Sequence, residues 1–211
     1  MPDSLQQQKE RARIIANSLK QLFPNARIAL KFSNNWELLV AVMLSAQCTD
    51  KKVNEVTQKL FRKYRTLDDY IAAKPEEFQQ DIYSTGFFRS KEKNILAAAK
   101  LIKEKFNGQV PRIMSELLSV SGVARKTANV VLGNAYGVVE GIAVDTHVKR
   151  LSFLLGLTKN TNSDRIEQDL MNIIPREEWF SFTYRLIDFG RTYCPARAHD
   201  HAQCLSLLNL N

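Results

Sequence analysis

Helical spacing of apolar residues runs through almost the whole chain, and this pattern constrains the fold most. Apolar residues three and four positions apart lie on one face of an α-helix, whereas a half-buried strand alternates at every second residue. The clearest stripes are Ile14, Ile15, Leu19, Leu22 and Phe23, followed by Ile95, Leu96, Ala99 and Ile102. No segment of the sequence alternates as a strand does, so we expect an all-α protein of about ten helices.

Residues that begin or end helices lie between the apolar stripes. Asn34 is a suitable N-cap, and Asn107-Gly108 is a typical helix stop. Pro175 is expected to open the next-to-last helical stretch. Asp164, followed three residues later by Glu167, predicts a capping box. The connections between helices are therefore expected to be short.

The charge balance is basic, and this favours a polyanionic partner. The 211 residues include 30 Lys and Arg against 22 Asp and Glu, which leaves a formal charge of +8 and a pI near 9.4. Such a balance is typical of proteins that bind nucleic acid, and sometimes of proteins that bind an anionic membrane surface. Ordinary solubilising charge explains it equally well.

The sequence predicts a soluble protein of the cytoplasm with no membrane partner. Residues 1–10 are polar and lack the apolar core of a signal peptide. The longest apolar run, residues 38–44, is far too short to span a bilayer. Three cysteines, Cys48, Cys194 and Cys204, are too few for a disulfide framework, which agrees with a reducing compartment.

Residues 117–132 predict a helical hairpin: a short helix, a tight Gly-Val-Ala turn at 122–124, and a second helix from Arg125 to about Tyr136. Glycine in the turn allows the backbone to approach a partner closely. The start of the second helix presents N–H groups and a positive dipole end, an arrangement that binds phosphate. Lys126 adds positive charge there. Turn chemistry alone also fits a plain connection between two helices.

A second motif follows the hairpin, and the two together resemble a known family. Asp145 lies at an expected helix start after an apolar approach; taken alone it is a typical N-cap, as Lys126 alone is a typical solvated lysine. Together, the hairpin, Lys126 and the Val-Asp-Thr-His turn at 144–147 resemble the endonuclease III family of helix-hairpin-helix DNA glycosylases.

The resemblance extends over most of the chain, from about Phe32 to Cys194. Residues 44–50 are similar to the family's helix-to-loop segment that carries a residue wedged into the duplex. Residues 85–95 are similar to its second wedge loop, and residues 107–111 to the turn that leads to the hairpin. Several independent motifs thus occur in the family's order.

The resemblance implies a fold of two helical domains with a DNA-binding cleft between them. A six-helix barrel domain would span residues 28–139 and include the hairpin at about 115–136. Residues 1–27 and 140–211 would together form the second domain.

The implied function is that of a bifunctional DNA glycosylase and abasic-site (AP) lyase of base excision repair. The resemblance assigns Lys126 as the nucleophile and Asp145 as its essential acidic partner. It would remove oxidised pyrimidines and cleave the strand by β-elimination. The expected partner is double-stranded DNA with damaged bases or abasic sites, bound by a monomer associated with the nucleoid.

The resemblance also implies a set of DNA contacts, with Gln47 filling the gap that the extruded nucleotide leaves and Phe87 wedging from the opposite strand. The implied DNA-binding residues are Gln47, Phe87, Gly122, Val123, Ala124, Arg125, Thr127, His147 and Lys149. Each has an ordinary structural alternative. Gln47 is also explained as a helix C-terminal residue, Phe87 as a core aromatic, and His147 as a solvated residue of a first helical turn.

The sequence departs from the family at two hairpin positions and at its carboxy-terminal end. Ser121 stands where proline is usual, and Ala124 where glycine is frequent. The family's four-cysteine pattern for a 4Fe–4S cluster, C-x6-C-x2-C-x5-C, falls here on Cys194, His201, Cys204 and Leu210.

Because leucine cannot ligate iron, the sequence predicts a loop without a cluster and a protein without a cofactor. In that case burial of Leu205, Leu207, Leu208 and Leu210 would hold the end of the chain in place. Zinc bound by Cys194, His199, His201 and Cys204 is the alternative, although their close spacing is not a common zinc pattern.

Two other functions are alternatives to that of a glycosylase and lyase. One is a non-catalytic helix-hairpin-helix module that only clamps phosphates; the presence of both Lys126 and Asp145 argues against it. The other is a mismatch adenine glycosylase, which lacks the hairpin lysine and carries an acid on an early helix. Here the corresponding early segment, residues 40–43, is apolar.

Overall fold

Helices account for all the regular secondary structure among residues 4–210, which are the residues that the computed structural model describes. The α-helices are α1 Leu5–Leu22, α2 Asn35–Leu44, α3 Asp50–Lys63, α4 Leu67–Ile71, α5 Pro75–Ile82, α6 Phe88–Lys105, α7 Met114–Leu118, α8 Arg125–Tyr136, α9 Thr146–Leu154, α10 Ser163–Ile173, α11 Trp179–Thr192 and α12 His201–Leu207. Single 3-10 turns, Tyr83–Thr85 and Arg176–Glu178, precede α6 and α11. The all-α prediction is confirmed. The described chain holds twelve α-helices rather than about ten, because a short helix such as the five-residue α4 shows no full helical period.

Capping residues set most helix starts. Asn34 caps α2 as predicted, and its side chain accepts a hydrogen bond from the Glu37 N–H at 2.9 Å. The predicted capping box at Asp164 is wrong, because Asn162 is the N-cap of α10 and accepts from the N–H groups of Asp164 and Arg165. Asp164 instead lies in the first turn of α10, where its negative charge interacts favourably with the helix dipole.

The chain separates into two units, of which residues 29–138 form one. This unit contains α2 to α8, and α2 lies at its centre. Every side chain from Leu38 to Leu44 is buried, and α3, α6 and α8 pack against this helix. The apolar run that is too short for a membrane span is therefore a helix surrounded by other helices.

The other unit joins residues 4–28 to residues 139–210. Its core combines Leu19 of α1, Leu151 of α9, Leu170 of α10 and Phe189 of α11, all fully buried. Residues 1–3 and 211, which the predicted terminal domain also includes, lie outside the described residues. None of the helices that the structure describes is long and apolar enough to cross a membrane.

Candidate functional site

The predicted hairpin is present, with α7 and α8 joined by a tight turn at Gly122. Gly122 has a left-handed backbone, with a φ of +75°. A Cβ placed there would lie 2.8 Å from Cβ of Asn94 and 2.9 Å from Cε of Met43, closer than real side chains approach. Gly122 therefore serves two purposes, because it permits the turn and lets the turn pack tightly against α6 and α2.

The two hairpin positions that depart from the family are both accommodated. Ser121 donates a hydrogen bond from its hydroxyl to Oδ1 of Asn94 at 2.9 Å, so its side chain ties the turn to α6. Ala124 is the N-cap of α8 and has an extended backbone with a φ of −94°, which does not require glycine. Val123 between them is buried and anchors the turn, while Gly122 and Ala124 are exposed.

The first turn of α8 carries the residues that the resemblance identifies as DNA contacts and as the nucleophile. Arg125, Lys126 and Thr127 are its first three residues, and all are half-buried. The N-cap residue Ala124 has no polar side chain, so it does not cap this helix end. The start of α8 thus combines a positive dipole end, two cationic side chains and an exposed glycine turn, an arrangement suited to a phosphate.

Gln47 and Phe87 are both exposed, and both have an unusual left-handed backbone conformation. Gln47 follows the end of α2 with a φ of +52° and is exposed. Phe87 directly precedes α6 with a φ of +49°, and 63% of it is exposed. Left-handed backbone is uncommon outside glycine, and such strain is concentrated at functional sites. The core-aromatic interpretation of Phe87 is therefore wrong.

Lys91 connects these two loops, and the sequence did not identify it. Its side chain is buried, and its Nζ donates to the carbonyl oxygens of Leu44 and Thr85, each at 2.8 Å. Leu44 ends α2 three residues before Gln47, and Thr85 lies two residues before Phe87. Burial lowers the pKa of Lys91. The sequence does contain a sign of this burial, because Lys91 lies four residues before Ile95 and therefore on the apolar face of α6.

In the unit that contains residues 139–210, Asp145 begins α9. Its Oδ1 accepts a hydrogen bond from the Val148 N–H at 2.8 Å, which is the N-cap arrangement that its sequence context indicates. One carboxylate oxygen thus caps the helix, while Asp145 as a whole is only half-buried.

His147 and Lys149 occupy the first turns of the same helix. Lys149 is exposed, and His147 is half-buried. The Nδ1 atom of His147 is buried and has no hydrogen-bond partner among the described residues. Gly190 of α11 lies directly opposite, since a Cβ there would come within 2.9 Å of that nitrogen.

The carboxy-terminal stretch brings four potential metal ligands together. The thiol sulfurs of Cys194 and Cys204 and one ring nitrogen each of His199 and His201 all lie within 4.8 Å of one another. Both cysteines are buried, and neither forms a disulfide. The prediction of a protein without a cofactor site is therefore wrong. That prediction depends on the four positions of the family's cysteine pattern, and His199 is at none of them. The fold of residues 194–204 nevertheless places His199 beside Cys204.

Comparisons with known proteins agree with the motifs. Residues 40–176 match the family model of the HhH-GPD superfamily base excision DNA repair proteins. Endonuclease III of Synechocystis sp. is 50% identical over 196 residues, which cover 93% of this chain and 90% of that protein.

Two solved structures are also similar over nearly their whole length. A non-covalent endonuclease III–DNA complex has a TM-score of 0.90 and 47% identity, and the match covers 96% of this chain and 94% of that one. A trapped endonuclease III–DNA covalent intermediate has a TM-score of 0.89 and 47% identity, and the match covers 93% and 92% of the two chains.

Proposed function

The chain belongs to the endonuclease III family, and we propose that Lys126 and Asp145 are the residues that carry out its chemistry. The protein is a DNA glycosylase and AP lyase of base excision repair that removes oxidised pyrimidines. The observation that supports the assignment most is the position of Lys126. It lies in the first turn of α8, directly after an exposed glycine turn that suits a phosphate.

Base removal begins with loss of the damaged base from C1′, where positive charge builds on the sugar. A carboxylate such as that of Asp145 stabilises this charge most in the transition state. The amine of Lys126 forms a bond to C1′ as the bond to the base breaks, and the base leaves with the electron pair. A proton then passes from nitrogen to O4′ as the C1′–O4′ bond breaks, which opens the sugar ring and leaves a protonated imine.

Strand cleavage follows from the imine. The imine acidifies the C2′ proton, and when a base removes this proton the electrons expel the 3′ phosphate by β-elimination. Hydrolysis of the imine then releases Lys126. The only covalent group that the protein must supply is the lysine amine.

The substrate must first leave the base stack, because C1′ chemistry on a paired nucleotide is blocked. We propose that Gln47 fills the vacated space and that Phe87 wedges beside it, since both are exposed on left-handed backbone. His147 and Lys149 would contact the DNA backbone from α9. The hairpin residues 122–125 and Thr127 would hold a phosphate.

We further propose that the partner is double-stranded DNA with damaged bases or abasic sites. A structure similar to this chain is a non-covalent complex with DNA, and another is a covalent intermediate. The protein would act as a monomer in the cytoplasm, associated with the nucleoid, and its net charge of +8 would support that association.

Borohydride trapping tests the role of Lys126. We expect the wild-type protein to form a covalent adduct with duplexes that carry thymine glycol or an abasic site. Lys126→Gln should form none while it retains substantial DNA binding, and Lys59→Gln, which changes an exposed lysine of α3, should trap as wild type does. Full trapping by Lys126→Gln would show that another amine is the nucleophile.

Asp145→Asn separates catalysis from helix capping. Asparagine caps a helix about as well as aspartate does, so thermal stability should change little. Turnover should fall by orders of magnitude, because the lost charge acts mainly in the transition state. If stability and activity fell together, Asp145 would be only a cap. An A:G mismatch duplex belongs in the same assay, since preferential cleavage there would favour an adenine glycosylase instead.

A further inference from the structure

We propose that Cys194, His199, His201 and Cys204 bind one Zn²⁺ ion, at the place where the family's pattern would hold an iron–sulfur cluster. The four side chains come from a single stretch of eleven residues between the end of α11 and the middle of α12. Two thiolates and two imidazoles are a donor set that zinc favours strongly.

The distances fit a single tetrahedral ion. Zinc bond lengths of about 2.0–2.3 Å to nitrogen and sulfur place neighbouring ligand atoms about 3.3–3.8 Å apart. Here Sγ of Cys194 lies 3.8 Å from Nδ1 of His201, and Nε2 of His199 lies 3.1 Å from Sγ of Cys204. All four atoms lie within 4.8 Å of one another, so small side-chain rotations would close the shell.

The same residues do not fit a 4Fe–4S cluster. A cluster of that kind is normally held by four thiolates, each on a different iron, with the sulfides between them. Its ligands must therefore stand farther apart than those of one ion. This stretch offers only two thiols, and Leu210 at the last pattern position packs as an apolar side chain against the core. The third cysteine, Cys48, belongs to the other unit.

Groups around the ligands already orient them. Nδ1 of His199 lies 2.8 Å from the carbonyl oxygen of Arg197. A carbonyl only accepts, so Nδ1 carries the proton, and the lone pair of Nε2 points toward Cys204. This arrangement of a histidine ligand held by a backbone carbonyl is typical of zinc sites. The guanidinium of Arg150 lies 4.0 Å from Sγ of Cys194, where it would stabilise a thiolate. Zinc binding displaces the thiol protons to solvent.

The site would link three helices of the unit that contains residues 139–210. Cys194 follows α11, while His201 and Cys204 belong to α12. Arg150 of α9 also donates to the carbonyl oxygen of Cys194, so the metal loop is joined to the helix that Asp145 begins. Part of the linkage is independent of metal, because Leu208 is fully buried and its carbonyl accepts from the Ser18 hydroxyl of α1. Loss of zinc should therefore loosen the loop more than it unfolds the unit.

Metal analysis of the full-length protein, purified without metal-affinity resin or chelator, tests the proposal and needs no activity measurement. We expect about one zinc per chain and no stoichiometric iron or sulfide. Replacement by Co²⁺ alone should give the strong visible bands of a tetrahedral site, together with a thiolate charge-transfer band. A strong chelator should remove the metal and lower the melting temperature.

Substitutions locate the ligands. Cys204→Ser and His199→Ala should lose zinc and the cobalt spectrum, whereas the matched control Cys48→Ser should keep both. If a ligand variant fails to fold, the zinc content and cobalt spectrum of the wild-type protein still decide the question.

Three results would overturn the proposal. They are iron and sulfide near four each per chain, a wild-type protein that neither contains nor takes up metal, and a disulfide between Cys194 and Cys204 found by mass spectrometry. None of these outcomes bears on the roles of Lys126 and Asp145, which the trapping and turnover assays test separately.

Discussion

Replacing Lys91 by methionine tests whether one buried ammonium holds the two DNA-facing loops in place. Methionine keeps an unbranched side chain of similar length but removes the donor. The carbonyl oxygens of Leu44 and Thr85, each 2.8 Å from Nζ in the wild type, lose a charged hydrogen bond. These carbonyls belong to the segments that lead to Gln47 and Phe87, so the change acts on both loops at once.

The magnitude follows from two opposing effects. A hydrogen bond from a charged donor contributes about 1.5–3 kcal/mol, and two are lost. Burying the ammonium is itself unfavourable, as its lowered pKa indicates, and methionine removes that cost. We expect the free energy of unfolding to fall by about 2–3 kcal/mol. For a protein of this size the melting temperature should drop by about 4–12 °C.

The assay compares Lys91→Met with Lys93→Met, which changes an exposed lysine two residues along the same helix. Thermal unfolding measures the stability loss, and turnover is measured on a thymine-glycol duplex and on a single-stranded abasic oligonucleotide. The duplex requires a nucleotide to be extruded, whereas the single strand does not. We expect Lys91→Met to lose kcat/KM on the duplex and to stay close to wild type on the single strand.

A Lys91→Met protein as stable as Lys93→Met would refute the reasoning about the two carbonyls. An equal loss of activity on both substrates would show that Lys91 does not act through the wedge loops.

Gly122→Ala should destabilise the protein by more than 1 kcal/mol in chemical denaturation and should weaken DNA binding, because a Cβ there would collide with α6 and α2 as well as strain the backbone. Gly137→Ala is the control, because Gly137 has a similar φ of +65° and, apart from its chain neighbours, no heavy atom of the described residues lies within 4 Å of the added Cβ; an equal loss of stability in both variants would show that the tight packing contributes nothing. Gly190→Ala should displace His147 and cost about 1–3 kcal/mol, with weaker DNA binding and no loss of borohydride trapping at saturating DNA. The stability advantage of wild type over Lys91→Met should grow as the pH rises between the lowered pKa of Lys91 and its ordinary value near 10.5, since there the unfolded chain binds the proton that the folded chain has released; a flat difference across that range would contradict the burial argument.

Much of the fold could be predicted from the sequence because its determinants are local. The helical stripes, the Asn34 cap and the hairpin from residue 117 to residue 136 depend on spacings of three or four residues and on single turn residues. Asp145 likewise begins α9 because a short acidic side chain reaches the N–H three residues ahead. Local rules failed at Asp164, where Asn162 was an equally suitable cap two residues earlier.

Other features depended on contacts between residues far apart in the chain, and only the tertiary structure decided them. Phe87 is of a residue type common in protein cores, yet it is exposed, on a left-handed backbone directly before α6. Lys91 reaches a carbonyl 47 positions away, which no local pattern records. The Cys and His residues near the carboxy terminus do not have a common zinc spacing, yet the turn between α11 and α12 brings their ligand atoms within 4.8 Å of one another. Metal binding depends on distances in space between donor atoms, and sequence spacing reports those distances only when the intervening backbone conformation is already known.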